Sequence, residues 1–233
     1  TLAGWGMQEV PHKRYLNDFF TGKIAESVSR GELYNEDPIT GDARFCATTA
    51  SMCGIESAGF EQNEEKKKRA VRFDLMLHAY MMVQSGIPML YSGDEIGQVN
   101  DYTYKNDPEK RVDSRYIHRG KFDWKLADGR KRKGTVQKEL FDGIGKLRSI
   151  RSKEKVFDAS ANVWTLDTWE NGILGVVREL EGEQMTALFN FAEEDRTAWI
   201  DEEGEYMDLY TGKKVSLQAI KMEGHSFVLA KKC

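Results

Sequence analysis

The sequence predicts an α/β segment followed by an all-β segment, and three observations carry that prediction. An amphipathic helix of more than twenty residues runs directly into a short apolar run. The chain changes character near residue 153. Beyond that point, short runs rich in Val, Thr, Tyr, Trp and Phe repeat to the end. The expected division is therefore residues 1–153 and residues 154–233.

Along the chain, residues 12–30 read as an amphipathic helix with Tyr15, Leu16, Phe19 and Phe20 on one side. Residues 31–45 read as a loop with turn chemistry at Asp37-Pro38 and Gly41-Asp42. A run of small residues follows, ending at Gly54 as a helix C-cap. Residues 61–85 form the strongest helix, with Met76, Met81 and Met82 as core filler; Gly86 stops it and Pro88 lies just beyond. Ile87 to Tyr91 carry no alternation, the mark of a strand covered on both faces. Residues 98–133 are long, polar and irregular, which in a compact domain signals function. Thr135 to Ser152 return to helical spacing through Val136, Leu140, Ile144, Leu147 and Ile150. The remainder predicts an antiparallel sandwich of roughly seven or eight strands, with turns at Asn171-Gly172 and Glu181-Gly182-Glu183.

Totals exclude several function classes. The chain has 233 residues, 40% of them apolar, and a formal charge of -4, so it can bury a real core and has no general attraction for nucleic acid or anionic lipid. No apolar run reaches the roughly 20 residues a membrane helix needs. The start, Thr1-Leu2-Ala3-Gly4-Trp5, has neither a Met nor a signal core, and reads as truncated or processed. Cys46, Cys53 and Cys233 are odd in number and form no C-x-x-C, which fits a reducing, cytoplasmic home. The four histidines show no metal-ligand spacing, and no cofactor motif is present.

Asp94 and Glu95 are the obvious candidates for paired-carboxylate chemistry. Neighbours on a strand point to opposite faces, so the pair does not converge on one atom; bracing of the following loop is the favoured reading. Asp113-Ser114-Arg115 is the other candidate, because a held guanidinium is a rigid multi-donor for hydroxyls or a carboxylate; the alternative for a loop Arg is a solvated charge. Arg130-Lys131-Arg132-Lys133 lacks interleaved aromatics and reads as a solvated turn. Trp164 and Trp169 read as sandwich core, with a sugar platform as the alternative.

Taken together, the motifs resemble the α-amylase superfamily of glycoside hydrolases, nearest to its amylosucrase and sucrose hydrolase branch. GIPMLYSGDEIG resembles the eighth barrel strand and its exit. Asn100-Asp101-Tyr102 and Asp107 to Asp113-Ser114-Arg115-Tyr116-x-His118-Arg119 resemble the amylosucrase form of the next loop, where oligo-1,6-glucosidases and trehalose synthases carry a different one. Asn35-x-x-Pro38-x-Thr40-Gly41-Asp42-x-Arg44 and His12-x-x-Tyr15-Leu16-Asn17-x-Phe19-Phe20 resemble the segment between the seventh and eighth strands. The resemblance implies the last part of a TIM-type (β/α)8 barrel (the end of the seventh unit, the eighth strand and its helix) followed by the C-terminal β-sandwich. It implies a retaining α-glucosyl transferase or hydrolase acting on sucrose or α-glucan, without a cofactor. That family's three catalytic carboxylates lie upstream, and no His-Asp dipeptide occurs here, so the chain is expected to be inactive alone. What carries over is binding: Arg115 at the floor of the glucosyl pocket, salt-bridged to an Asp from an earlier part of the barrel, Arg44 on the fructose or acceptor side, and Lys13 and Tyr15 where the branch has Arg and Phe. Lys13 keeps the charge but loses the planar fork. The other readings are a non-catalytic carbohydrate-binding module, and a split-gene half that self-associates or completes a barrel with its missing N-terminal part, since helices 61–85 and 135–152 would otherwise expose barrel-facing stripes.

Overall fold

The computed structural model describes residues 2–233; Thr1 lies outside the described residues. The chain forms two compact units that interleave along the sequence, one built from residues 1–71 and 91–140 and the other from residues 72–90 and 141–233.

In the first unit, α1 spans Glu9–Phe20, with Pro11 in the first turn, where a missing N–H costs nothing. It ends ten residues before the sequence pattern predicts. The Thr21 hydroxyl donates to the Asn17 carbonyl at 2.7 Å, and Gly22 takes a positive φ, so local bonds turn the chain away. The expected loop at 31–45 contains a short antiparallel ladder, β1 (Glu32–Tyr34) with β2 (Arg44–Cys46), in the register Leu33 opposite Phe45 and Tyr34 opposite Arg44. Two short helices follow, α2 (Thr49–Met52) and α3 (Ile55–Phe60). Gly54 joins them at φ 96°, and an added Cβ would sit 2.9 Å from Val28 Cβ. The long polar segment after residue 98 is not formless. Asp101, Asp113 and Asp123 each accept a backbone N–H two residues on, opening turns at Tyr102–Asn106 and Ser114–His118 and the helix α5 (Trp124–Ala127).

Two long helices run through both units: α4 (Glu64–Val83) and α6 (Val136–Lys153). The second unit contains the later turns of each and eight strands. These are β3 (Asn162–Leu166), β4 (Ile173–Leu180), β5 (Glu183–Asn190), β6 (Arg196–Ala198), β7 (Tyr206–Asp208), β8 (Lys213–Val215), β9 (Ile220–Met222) and β10 (Phe227–Lys232). Every pairing is antiparallel: a six-stranded sheet in the order β3-β4-β5-β10-β7-β8, and a two-stranded ladder of β6 with β9.

Alternation along β5 and β10 divides the core of this unit. Met185, Ala187, Phe189 and Leu229 face Met76, Ala79, Met82 and Val83 of α4 and Leu147 of α6. Leu188 and Ala230 face the other way, onto Ala198, Ile200, Leu217, Ile220 and Met222. Each large apolar side chain buried in these layers stabilises by roughly 1.5–3 kcal/mol. Asp208 locks the β7–β8 corner, accepting from the backbone N–H groups of Tyr210, Thr211 and Leu229 at 3.1 Å each.

Three expectations are corrected. Ile87–Tyr91 forms no strand, and Ile87 and Met89 are 88% and 77% exposed. A parallel strand exists only through its neighbours, and no described strand pairs with this run. The stripes of α4 and α6 expected to be exposed are buried, in the second unit against the sheet. Trp164 and Trp169 are exposed rather than core: β3 is an edge strand, and Trp169 sits at φ 53° on a turn.

Candidate functional site

All four residues singled out for binding sit on the β1–β2 hairpin or on elements tied to it. Arg115 opens the turn Ser114–His118, and its guanidinium forks onto Asp113, with Nε donating to Oδ1 at 2.9 Å and Nη2 to Oδ2 at 2.7 Å. The Asp113 backbone cap on Arg115 N–H fixes the same carboxylate from a second direction. The guanidinium carbon lies 4.2 Å from the centre of the Tyr34 ring, so the charge is sandwiched between a carboxylate and a π face. Across the ladder from Tyr34 stands Arg44, exposed at the start of β2. Ser114 donates to the Leu33 carbonyl at 2.8 Å and anchors the turn to the hairpin. Under it lies a small core of Cys46, Tyr104 and Ile117.

Lys13 projects from α1 onto the turn that precedes β2, pairing with Asp42 at 2.6 Å and with Glu9. Its hydrogen bond to Asp42, followed by that to Glu9, raises its pKa; the same bond lowers that of Asp42. Arg14 donates to the Pro38 carbonyl and Asn17 to the Gly41 carbonyl, at 2.8 and 3.0 Å, which ties α1 to the turn. Tyr15 is exposed and stacks on Phe19; Phe19 meets Phe20, and Phe20 meets Phe45 of β2. Tyr15 thus reaches the hairpin through a series of rings.

Asp94 and Glu95 do not act together. Asp94 is buried and accepts the Tyr91 N–H at 2.9 Å, while Glu95 accepts the Gly93 N–H at 3.1 Å. Both carboxylates hold backbone N–H groups of the residues just before them, rather than the following loop that the sequence favours. Arg130 to Lys133 lie at the surface, with Lys131 paired to Asp128.

Several residues that complete the patch were missed from sequence. Tyr34 is the π face under Arg115, and Glu32 at the other end of β1 takes the Tyr104 hydroxyl and the Lys105 ammonium. Burial, then the bond to Glu32, pushes the Tyr104 phenol up. Asn100 is buried and ties three segments: it accepts the Thr48 N–H at 2.9 Å and donates to the Ser51 hydroxyl and the Arg30 carbonyl. Tyr102 donates to Glu56 at 2.7 Å, and burial first pushes its pKa up to about 12. The available signal was the pair of three-residue runs ELY and RFC flanking the turn residues Asp37-Pro38 and Gly41-Asp42, which is a hairpin written across an apparent loop.

The fork makes a pH prediction. Its hydrogen bonds from Arg115 hold Asp113 at about 2, below the ordinary 3.8. A depressed carboxylate contributes stability that is present above about pH 4 and is lost as pH falls through the folded value. A carboxyl-carbon NMR titration should therefore show Asp113 still ionised at pH 3. A midpoint near 4 would mean that the fork does not persist in solution.

No family model matches the chain. Solved structures do. An Anoxybacillus α-amylase superposes with a TM-score of 0.53 at 19% identity, over 80% of this chain and 36% of its own. A protein named AmyP, solved with maltotriose, gives 0.56 at 14% identity, over 70% and 35%. The trehalulose synthase MutB from Pseudomonas mesoacidophila gives 0.53 at 15% identity, over 69% and 38%. These neighbours are α-amylase family glycoside hydrolases, and at such identities what this chain shares with them is the fold. The chain spans a little over a third of the length of each of these structures.

Proposed function

We propose that this chain is the C-terminal part of an amylosucrase-like retaining α-glucosyl transferase or hydrolase, acting on sucrose or an α-glucan in the cytoplasm. Residues 1–153 would be the closing portion of its β/α barrel and residues 154–233 its C-terminal β domain. The observation that carries the reading is the Arg115–Asp113 fork over Tyr34, with Arg44 across the ladder, in the loop that leaves GIPMLYSGDEIG. The fold likeness to α-amylase family enzymes supports it. So does the apolar run Ile87–Tyr91, whose exposed side chains at Ile87, Met89 and Leu90 fit a segment that would be covered in a larger barrel.

The reaction would be a double displacement through a covalent glucosyl intermediate, with its nucleophile, its acid/base and its third carboxylate supplied upstream. This chain's own residues would bind. Arg115 presents a fixed, permanently charged set of donors to glucosyl hydroxyls. Arg44 serves the fructose or acceptor side. Tyr15 offers a stacking face, and Lys13 a point charge beside it.

Two assays test this. The purified chain should release neither glucose nor fructose from sucrose. Mixed with a polypeptide carrying the upstream barrel, it should support turnover. Turnover by the chain alone, abolished by Asp94→Asn or Glu95→Gln, would overturn the proposal.

A further inference from the structure

The second unit carries two open pockets, of about 450 and 250 Å³, and Trp169 lines both. The larger is formed by the 166–175 turn with Asp167, Glu170 and Asn171; its volume lies within the roughly 300–1,000 Å³ of small-molecule sites. The smaller is lined by Trp199, Asp201 and Gln218 as well as Trp169. Trp169 is 77% exposed and Trp199 54% exposed, and of the five tryptophans these two line adjoining pockets.

Their exposure is built in. Trp169 holds φ 53°, a left-handed conformation that a bulky residue adopts only when its surroundings impose it. The Asp167 carboxylate accepts the Trp169 N–H at 2.9 Å. Thr168, buried beneath, donates to the Ile173 carbonyl at 2.8 Å, and its own carbonyl accepts the Trp199 N–H at 2.9 Å. Glu170 accepts the Gly172 N–H at 3.2 Å and faces Arg196 of β6. One backbone bond therefore couples the two tryptophan-bearing segments, and the turn is rigid before any ligand arrives.

We propose that Trp169 and Trp199 form a binding site for a pyranose oligosaccharide. The C–H face of a sugar ring stacks on an indole, while its hydroxyls need acceptors and amides at the ring edge. Asp201, Gln218 and Glu170 supply these around the two rings. The site does not require the chemistry proposed above. Only the choice of an α-linked first probe rests on that reading.

The test is calorimetric titration of the full chain with maltoheptaose and, separately, cellohexaose. An open platform of two stacking contacts should give a Kd on the order of 1 mM. Trp169→Ala and Trp199→Ala should each weaken binding at least tenfold, while Trp124→Ala, on the other unit, leaves it unchanged. Trp169→Asn keeps the fold, because Asn accepts a positive φ, so it should melt no lower than the parent and still lose the sugar. Binding of cellohexaose alone supports the site and removes the α-glucan preference. Binding of neither sugar at roughly ten times the expected Kd, or binding that survives both tryptophan substitutions, overturns it.

Discussion

Arg178→Ala is expected to destabilise the fold by about 3–5 kcal/mol, read as a lowered urea midpoint at pH 7. Arg178 is fully buried in the centre of β4, yet among the described residues its hydrogen bonds go to no carboxylate. Its guanidinium donates to the carbonyls of Val156 at 2.6 Å, Val83 at 2.9 Å and Asp158 at 3.1 Å, and to the Ser85 hydroxyl at 3.3 Å. Burial lowers its pKa, and Arg151 beside it adds to that. Arg151 meanwhile donates to the carbonyls of Met82, Gln84 and Gly86. The last turn of α4 has no basic residue of its own, so two arginines from other elements satisfy its terminal carbonyls and its dipole. Removing Arg178 strands buried acceptors at Val83 and Val156 that water does not reach. Arg178→Lys should recover only part of the loss, because an ammonium cannot span that set of acceptors. A cost below about 1 kcal/mol for Arg178→Ala would mean that the carbonyls find other donors.

Arg115→Ala should lower kcat/KM for sucrose by about 100-fold or more in the enzyme completed with its upstream barrel, by loss of a positioned multi-donor. The group is well placed for such a role: its fork is fixed by both oxygens of Asp113, its face by Tyr34, and its turn by Ser114 on the hairpin. Arg115→Lys keeps the charge and loses the fork, so it should remain well below the parent. The fold should tolerate both changes, since the side chain is partly exposed and the Asp113 cap on the backbone stays. Near-normal turnover by Arg115→Ala would remove this residue from the proposed glucosyl site.

Much of the fold was written locally. The β-rich stretch after residue 153 predicts roughly seven or eight strands, and eight are found there. The stripes at Met76, Met82, Leu140, Ile144 and Leu147 are buried as their spacing requires. That Asp94 and Glu95 hold separate backbone groups was legible because adjacency separates them, but which backbone they hold was not. Of the candidate site, Arg115 was visible through its Asp-Ser-Arg setting, but Tyr34 was not: its importance comes from a ladder partner ten residues away and a turn some eighty residues on.

By itself, then, the sequence determined which residues have two faces and what period those faces follow, because side-chain direction in a helix or strand is a local property. It could not determine what each face meets. Ile87–Tyr91 has the composition of a buried strand and lies exposed, since hydrogen bonds between strands need a second chain segment. Trp169 has the composition of core and points to water, because one Asp167 bond and a buried Thr168 set its backbone. Arg178 has the composition of surface and is enclosed, because carbonyls from two distant segments, Val83 and Val156 with Asp158, close around it. Trp169 is set by its own neighbours, but for Arg178 the deciding partners are remote in sequence, and only the tertiary structure brings them within bonding distance.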